Sequence, residues 1–262
     1  MITSSSRPKL DTLIRTIAGP SQNSTHAAAW ALDCGELCRA QVSILTSIAS
    51  MPQRPPQPRE LFLWFGTSGA ESWDSLLPHL DHAEHARAAR FHHVADRWSF
   101  AAAHSGLRAL LGKAMDIAPT EIGIVPGPKG KPLLDPARHG AEAARAIQFN
   151  ISHSRDLVAV AIAAHAVGVD VERRRAMPDL HAVAERVFAI ESCAALAQTE
   201  QEGARTAMFF RFWSLGEAFI KATGEGITQG LSTFAFTADG APRLLRISDA
   251  WGPAARWQFG MP

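Results

Sequence analysis

The 262-residue sequence has little cysteine, no long apolar run and almost no net charge. Its three cysteines, Cys34, Cys38 and Cys193, form neither a disulfide framework nor a paired Cys-x₂-Cys zinc pattern, which favours a reducing, cytoplasmic compartment. No apolar stretch approaches the ~20 residues that a membrane-spanning helix needs. A net charge of +1 provides no overall attraction to nucleic acid. We therefore expect neither a membrane nor a nucleic acid as partner, and any recognition of an anion must be local.

The composition is that of an ordinary soluble globular protein, with 47% hydrophobic and 19% charged residues. Helix-like and strand-like segments alternate from residue 60 onward, which predicts an α+β or α/β fold. Residues 1–59 differ, because their Pro-, Ser- and Gln-rich stretches are typical of linkers. We predict that 1–59 is a flexible N-terminal extension, in which the Ala-rich stretch 25–48 could form a helix.

The segment VGVDVE at 167–172 contains the first candidate site. Alternate side chains of a β-strand point to opposite faces, so Gly168, Asp170 and Glu172 share one face and the valines share the other. Two carboxylates spaced two residues apart lie roughly 7 Å from each other at their Cα atoms. At that spacing both can reach one hard cation such as Mg²⁺, which prefers oxygen ligands. Taken alone, the same pattern also fits a surface strand whose acidic residues face water.

A second acidic site lies in FFRFWSLGEAFIKATGEG at 209–226, which predicts a helix that ends at the glycine-rich TGEG. Trp213, Glu217 and Lys221 are spaced four residues apart and so lie on one helix face. Glu217 can then serve as a third metal ligand or as a general base, and Lys221 can meet a phosphate. The simpler alternative is a surface salt bridge worth only about 0.3–0.5 kcal/mol.

Two further motifs precede the acidic strand. The turn-rich GPKGKP at 127–132 contains Lys131, and its glycines would let backbone amides approach an anion, although most such strings are solvated turns. In FNISHS at 149–154, Ser152 and His153 could both donate hydrogen bonds to a phosphate. They do not form a nucleophile–base pair, because neighbouring side chains on a strand point apart.

In their order along the chain, GKP, FNISHS, VGVDVE and W-x-x-x-E-A-x-x-K-x-x-G-x-G resemble the 4′-phosphopantetheinyl transferases of the long, surfactin-synthetase-activating (Sfp) type. The resemblance covers about residues 60 to 240, and the motifs are specific in combination. Upstream, HAEHARAARFHHVADRWSFAAAHSGLR is similar to the family's E-x-x-R-A-x-R-F…D-R…H-x-x-L-R region. RVFAIESCAAL and GITQGLSTFAF are similar to the segments before and after the family's final helix.

The resemblance implies an α+β fold of two pseudo-symmetric α/β halves, each a helix packed on a small antiparallel sheet, with the active site in the cleft between them. The N-terminal half would span residues 60–154, and the C-terminal half, which holds the metal site, residues 155–262. Short family members need an oligomer to build that cleft, so a monomer is expected for this longer chain.

The resemblance also implies a reaction. The family transfers the 4′-phosphopantetheine arm of coenzyme A to a serine of an apo acyl or peptidyl carrier protein and releases adenosine 3′,5′-bisphosphate. Such carriers serve fatty-acid, polyketide and nonribosomal peptide biosynthesis. Coenzyme A and a carrier protein are therefore the expected partners, with Mg²⁺ as cofactor.

Each candidate residue receives a role from the resemblance. Asp170, Glu172 and Glu217 would bind Mg²⁺, which neutralises charge on the cleaved pyrophosphate. Glu217 would also take the proton from the carrier serine, and Lys221 would stabilise charge on the transferred phosphate. The phosphates of coenzyme A would be bound by polar and cationic side chains, namely Arg87, Arg97, Lys131, Ser152, His153 and Lys221.

One position departs from the family pattern W-x-x-K-E-A, because Gly216 replaces a lysine that contacts the phosphates in the family. The change removes a cation and costs about 1 kcal/mol of helix propensity relative to alanine. Two alternatives to the transferase therefore stay open. One is a decayed homologue that binds coenzyme A or a carrier protein without efficient catalysis. The other is an unrelated Mg²⁺-dependent phosphodiesterase that uses the same carboxylates.

Overall fold

The computed structural model describes residues 14–17, 25–35, 39–68 and 76–262. Within them, two main β-sheets pack face to face, and a long α-helix covers the outer face of each sheet. The predicted α+β class, with a helix packed on a sheet in each half, is confirmed. None of the described helices is both long and apolar enough to cross a bilayer.

The strands are β1 (Ile14–Ile17), β2 (His26–Asp33), β3 (Gln41–Leu45), β4 (Glu60–Ser68), β5 (Ile124–Pro126), β6 (Pro132–Leu134), β7 (Gln148–Ser154), β8 (Leu157–Ala163), β9 (Val167–Arg173), β10 (Ala235–Phe236), β11 (Leu244–Arg246) and β12 (Trp257–Gly260). The α-helices referred to below are α1 (His82–Ala88), α2 (Val94–Met115), α3 (Pro136–His139), α4 (Ala141–Ala146), α5 (Leu180–Val187), α6 (Ile190–Gln198) and α7 (Glu202–Thr223).

The first sheet has the strand order β1-β4-β8-β7, and β3 pairs with β4 in parallel. Alternation along β4 places Phe62 and Trp64 on the face that packs against α2. The intervening residues Leu61, Leu63 and Phe65 pack against the second sheet. The FNISHS motif lies on β7, so it occupies the edge strand of this sheet.

The second sheet has the antiparallel order β12-β2-β9. Its outer face is made of small residues, which include Ala27, Ala29 and Ala31, and α7 packs on it. A Cβ on Gly168 of β9 would lie 1.9 Å from the carbonyl oxygen of Ala218, so only glycine permits this approach of α7. The close contact brings together the two elements that contain the acidic motifs.

The prediction of a flexible extension at 1–59 is wrong for the described part of that segment. β2 is the central strand of the second sheet, and residues 27–32 are buried. The Ala-rich stretch 25–48 forms β2 and β3 instead of a helix. Burial of β2 between α7 and the first sheet outweighs the helix propensity of alanine. Cys38 and the rest of the extension (1–13, 18–24 and 36–38) lie outside the described residues.

The two sheets do not divide the chain at residue 154, as the predicted halves would require. β8 pairs with β4 and β7 in the first sheet, and the chain crosses to the second sheet only between Ala163 and Val167. β2, from the N-terminal side, joins the second sheet. The C-terminal half is therefore built from β2 together with residues from 167 onward.

Candidate active site

β9 presents its valines and its acidic residues to different neighbours, as its alternation predicts. The valines are buried between the two sheets. Asp170 points toward α7, where its carboxylate forms an ion pair with Lys221 Nζ at 2.7 Å. Only 3% of Asp170 is exposed, which excludes a water-facing acidic strand at this residue.

The two oxygens of the Asp170 carboxylate have different surroundings. Oδ1 accepts hydrogen bonds from Lys221 Nζ (2.7 Å) and Ser152 Oγ (3.1 Å). Oδ2 is buried and has no hydrogen-bond partner among the described residues. A buried carboxylate oxygen without a partner is costly, so this atom marks a place where a cation would be favourable.

Glu172 and Glu217 lie close enough to Asp170 to respond to its charge. The pKa of Glu172 is raised, first by burial and then by Asp170. The pKa of Glu217 is raised by burial and by Asp170, and further by Glu172, although Lys221 opposes the shift. Asp170 thus makes both glutamates harder to ionise, and a bound cation would relieve this repulsion.

The donor set fits Mg²⁺, because all three side chains offer carboxylate oxygens and Asp170 Oδ2 has no competing partner. The described residues do not, however, form a ready-made cluster of three or more His, Cys, Asp or Glu. The Lys221 ammonium balances the charge of Asp170, and it also donates to Ser152 Oγ and the Val169 carbonyl. Because these three bonds use all three ammonium hydrogens, Lys221 must release some of them before it can bind a phosphate.

Trp213, Glu217 and Lys221 lie on one face of α7, as predicted, and line a cavity of about 520 Å³. Apolar side chains such as Val187 and Leu231 form much of the remaining wall. Trp213 stacks on Phe209 and meets the edge of Phe188, which holds the indole in place. The cavity therefore combines an apolar wall with the carboxylate and ammonium of α7.

The GPKGKP segment forms the turn of the β5–β6 hairpin and places Lys131 in the wall of this cavity. The Lys131 ammonium donates to the carbonyl oxygens of Val167 (2.9 Å) and Ala222 (3.2 Å). Burial lowers its pKa to about 8. Lys129 differs, because it forms an ion pair with Glu225. Lys131 is thus a partly buried cation that pairs with no described carboxylate, which suits it to an anionic ligand.

A second cavity, of about 670 Å³, is lined by Arg87, His104, His153 and Lys221 among others. The pKa of His153 is lowered, first by loss of water around the ring and then by the positive charges of His104 and Lys221. Lys221 and Pro132 line both cavities, so the two spaces adjoin at the acidic site. A ligand with several phosphates could therefore contact cations from both cavities at once.

Two predicted ligands do not fit the role expected for them. Arg97 lines neither of the two cavities. The Ser152 hydroxyl accepts from the Val171 amide (3.3 Å) and Lys221 Nζ (2.9 Å) and donates to Asp170 Oδ1. A hydroxyl has one donor and two acceptor positions, so Ser152 has no hydrogen bond left for a phosphate.

Sequence reasoning missed a buried charge network beside the second cavity. Arg108, fully buried in α2, donates to Glu84 Oε2 (2.6 Å) and pairs with Asp81. His104 Nδ1 donates to Glu84 Oε1 at 2.9 Å. Burial raises the pKa of Glu84, but these bonds lower it overall to about 2. Asp81 and Glu84 also form the capping box of α1, but no local pattern indicates that these acids pair with Arg108.

Gly216 packs against the segment that follows α7. It is buried in α7, and a Cβ at this position would lie 2.4 Å from Leu231 Cδ2 and 3.2 Å from Phe234 Cε2. Leu231 itself lines the first cavity, together with Glu217 and Lys221 of α7. The space beside position 216 is therefore filled by Leu231 and Phe234, and a lysine there would have to displace them.

Two family models together match residues 65–259. Residues 166–259 match the model of the 4′-phosphopantetheinyl transferase superfamily, and residues 65–165 match the model of a 4′-phosphopantetheinyl transferase N-terminal region. The two matches meet between β8 and β9, where the chain crosses from one sheet to the other.

Individual relatives agree with these models. The chain is 31% identical over 177 residues to the 4′-phosphopantetheinyl transferase HetI of Nostoc sp., over 67% of this chain and 73% of that protein. It is 42% identical over 106 residues to the 4′-phosphopantetheinyl transferase psf-1 of Bacillus pumilus, over 40% and 44% of the two chains. A Synechocystis protein with a provisional name in the same family is 34% identical over 155 residues, 58% of this chain and 60% of that protein. The matched regions thus span 44% to 73% of these relatives' own lengths. Together with the acidic site, these matches show that the chain belongs to the 4′-phosphopantetheinyl transferase superfamily.

Proposed function

We propose that this protein transfers the 4′-phosphopantetheine arm of coenzyme A to a serine of an apo acyl or peptidyl carrier protein, with Mg²⁺ as cofactor and adenosine 3′,5′-bisphosphate as leaving group. The observation that supports this best is the buried Asp170 oxygen without a partner, beside Glu172, Glu217 and Lys221. The bond to be cleaved is a pyrophosphate, so the reaction needs both carboxylates for a metal and cations for the phosphates.

Cationic and polar side chains are proposed to bind and orient coenzyme A. Arg87 and His153 line the second cavity, and Lys131 lines the first, so together they can bind phosphates on both sides of the acidic site. Lys221 lies between them and would stabilise charge on the transferred phosphate once it releases Asp170. The apolar wall of the first cavity strengthens these interactions because it excludes water.

Glu217 is proposed to accept the proton of the carrier serine, directly or through a water. Its carboxylate lines the first cavity, where the serine hydroxyl would have to enter. Lys221, one helical turn further along α7, holds positive charge next to the same cavity. When bound by Asp170, Glu172 and Glu217, Mg²⁺ would neutralise the pyrophosphate and orient it for in-line attack.

The test of this function is incubation with coenzyme A, Mg²⁺ and a panel of apo fatty-acid, polyketide and peptide carrier domains, read by intact mass. We expect at least one carrier to gain the mass of phosphopantetheine, and EDTA to abolish the gain. The absence of any gain across the panel at high enzyme concentration would contradict the proposal. The panel also identifies the carrier class.

No observation favours either alternative function. The decayed homologue was suggested by Gly216, but that position packs against Leu231 and Phe234. A two-metal phosphodiesterase would need more ligands than the three carboxylates, and the described residues contain no larger His, Cys, Asp or Glu cluster. We also propose that one chain suffices for activity, since both cavities are lined within it. The cytoplasmic location stays a prediction from the cysteines.

Gly216→Lys is expected to lower thermal stability without raising the transfer rate, because the added side chain must displace Leu231 and Phe234. Calorimetry and the mass assay measure the two quantities. Gly203→Lys adds the same charge to α7 at a position with no neighbour within 4 Å, so it should leave the transfer rate unchanged and should not lower the thermal stability. A rise in rate specific to Gly216→Lys would show that a phosphate ligand is missing after all.

Lys131 predicts a pH dependence of coenzyme A binding. Its pKa of about 8 means that its charge is lost as the pH rises through that value. A bound phosphate raises the pKa back toward the ordinary value, so affinity should be steady below pH 8 and fall above it. Titration calorimetry on either side of pH 8 measures this. Lys131→Met should bind coenzyme A more weakly at neutral pH and should show no fall in affinity above pH 8. Lys113→Met should still show that fall. An equal fall in affinity in both variants would show that a group other than Lys131 causes the pH dependence.

A further inference from the structure

The edge strands of the two sheets are joined by side chains instead of a backbone ladder. β7 ends the first sheet and β9 ends the second. Three β9 amides donate to side chains of β7: Val169 to Asn150 Oδ1 (2.9 Å), Val171 to Ser152 Oγ (3.3 Å) and Arg173 to Ser154 Oγ (3.0 Å). The alternate residues of FNISHS thus satisfy the amides on the free edge of β9, which would otherwise be without partners.

Both serines also donate back to the acidic residues of β9. Ser152 Oγ donates to Asp170 Oδ1 (3.1 Å), and Ser154 Oγ donates to Glu172 Oε2 (3.2 Å). Each serine therefore bridges one carboxylate and the amide of the next residue. The S-x-S spacing of β7 matches the D-x-E spacing of β9 because both strands repeat every two residues.

We infer that Ser152 and Ser154 are positioning residues, which orient the Asp170 and Glu172 carboxylates so that each keeps one oxygen available for a divalent cation. Asp170 shows the result directly, since the serine bonds Oδ1 and Oδ2 has no described partner. The inference rests on the proposed function, which places the cation there. Partners that hydrogen-bond to a metal ligand restrict its rotamers and so raise the affinity for the metal.

Ser154 is the cleaner test of the two serines, because the Ser152 hydroxyl also accepts from Lys221. Ser154→Ala should weaken binding of Mn²⁺ by about tenfold or more. The EPR signal of free Mn²⁺ measures this affinity, and competition with Mg²⁺ gives the affinity for Mg²⁺. Asn150→Ala is the matched control, because it removes the same kind of amide contact but no carboxylate contact. It should lower the melting temperature and leave the Mn²⁺ dissociation constant unchanged.

Ser154→Thr and Ser154→Val provide a second comparison, because they have the same shape, suit a strand, and differ in the hydroxyl. The threonine variant should bind Mn²⁺ like wild type, and the valine variant should bind about tenfold more weakly. Equal affinity in this pair, with a wild type that does bind Mn²⁺, would overturn the positioning role alone. A wild type that binds neither Mn²⁺ nor Mg²⁺ would overturn the proposed function and the inference together.

Discussion

Asp170→Asn is expected to lower the rate of phosphopantetheine transfer by about a thousandfold or more. The substitution keeps the size of the side chain but removes a negative charge that is buried and paired with Lys221 at 2.7 Å. A metal held by carboxylates supplies several kcal/mol of charge stabilisation in the transition state. Each 1.36 kcal/mol corresponds to about a tenfold change in rate. Initial rates from intact mass of the carrier, measured over a series of Mg²⁺ concentrations, check this prediction.

The matched control for Asp170→Asn is Glu185→Gln, which removes one carboxylate charge from the exposed face of α5. This variant should retain the rate and the Mg²⁺ dependence of the wild type. Circular dichroism and melting temperature separate a loss of catalysis from a loss of fold. Wild-type turnover by a folded Asp170→Asn protein would show that the buried carboxylate has no part in the reaction.

Gly168→Ala is expected to destabilise the protein and to abolish most of its activity. A Cβ at this position would lie 1.9 Å from the Ala218 carbonyl oxygen and 2.6 Å from the Ala222 amide nitrogen. Both are backbone atoms of α7, so no side chain can rotate away and the helix itself must move. Overpacking of this kind typically costs about 1–3 kcal/mol, occasionally more. The Asp170–Lys221 pair joins the same two elements, so the displacement should also separate the groups proposed to act in catalysis.

Denaturant unfolding and the transfer assay together measure the effect of Gly168→Ala. Gly203→Ala is the matched control, because a Cβ at this position, near the start of α7, has no neighbour within 4 Å. It should stabilise the protein slightly, by up to about 1 kcal/mol of helix propensity. An unchanged free energy of unfolding in Gly168→Ala would contradict the close packing of α7 on β9.

Most of the candidate site could be predicted because its residues lie in two strongly periodic segments. Asp170 and Glu172 share a strand face, and Glu217 and Lys221 share a helix face. These relations follow from backbone geometry and require no knowledge of distant contacts. The FNISHS motif predicts a phosphate contact for Ser152, whose hydroxyl in the structure bonds protein groups on β9 and α7. The partners of a hydroxyl are set by whatever packs against it.

The structure of the N-terminal segment, in contrast, could not be predicted from its local pattern. Its Pro- and Ser-rich flanks and its alanines pointed to a flexible extension with a helix, yet β2 is the central strand of the second sheet. Alanine is a poor strand former by propensity, but here its small side chain lets α7 approach one face of the strand. β2 is stabilised by its contacts with β9 and α7, which are distant in the sequence, so the local pattern does not predict it.

The sequence by itself determined the periodicity of each strand and helix. It thereby determined which side chains share a face, because these periods are properties of the local backbone. It also contained the ordered motifs that place the chain in its family. Only the tertiary structure decided what each face meets: α7 against Gly168, Leu231 against Gly216, and the serines of β7 against the amides of β9. These outcomes depend on close packing between segments that lie 15 to 50 residues apart, about which a local pattern holds little information.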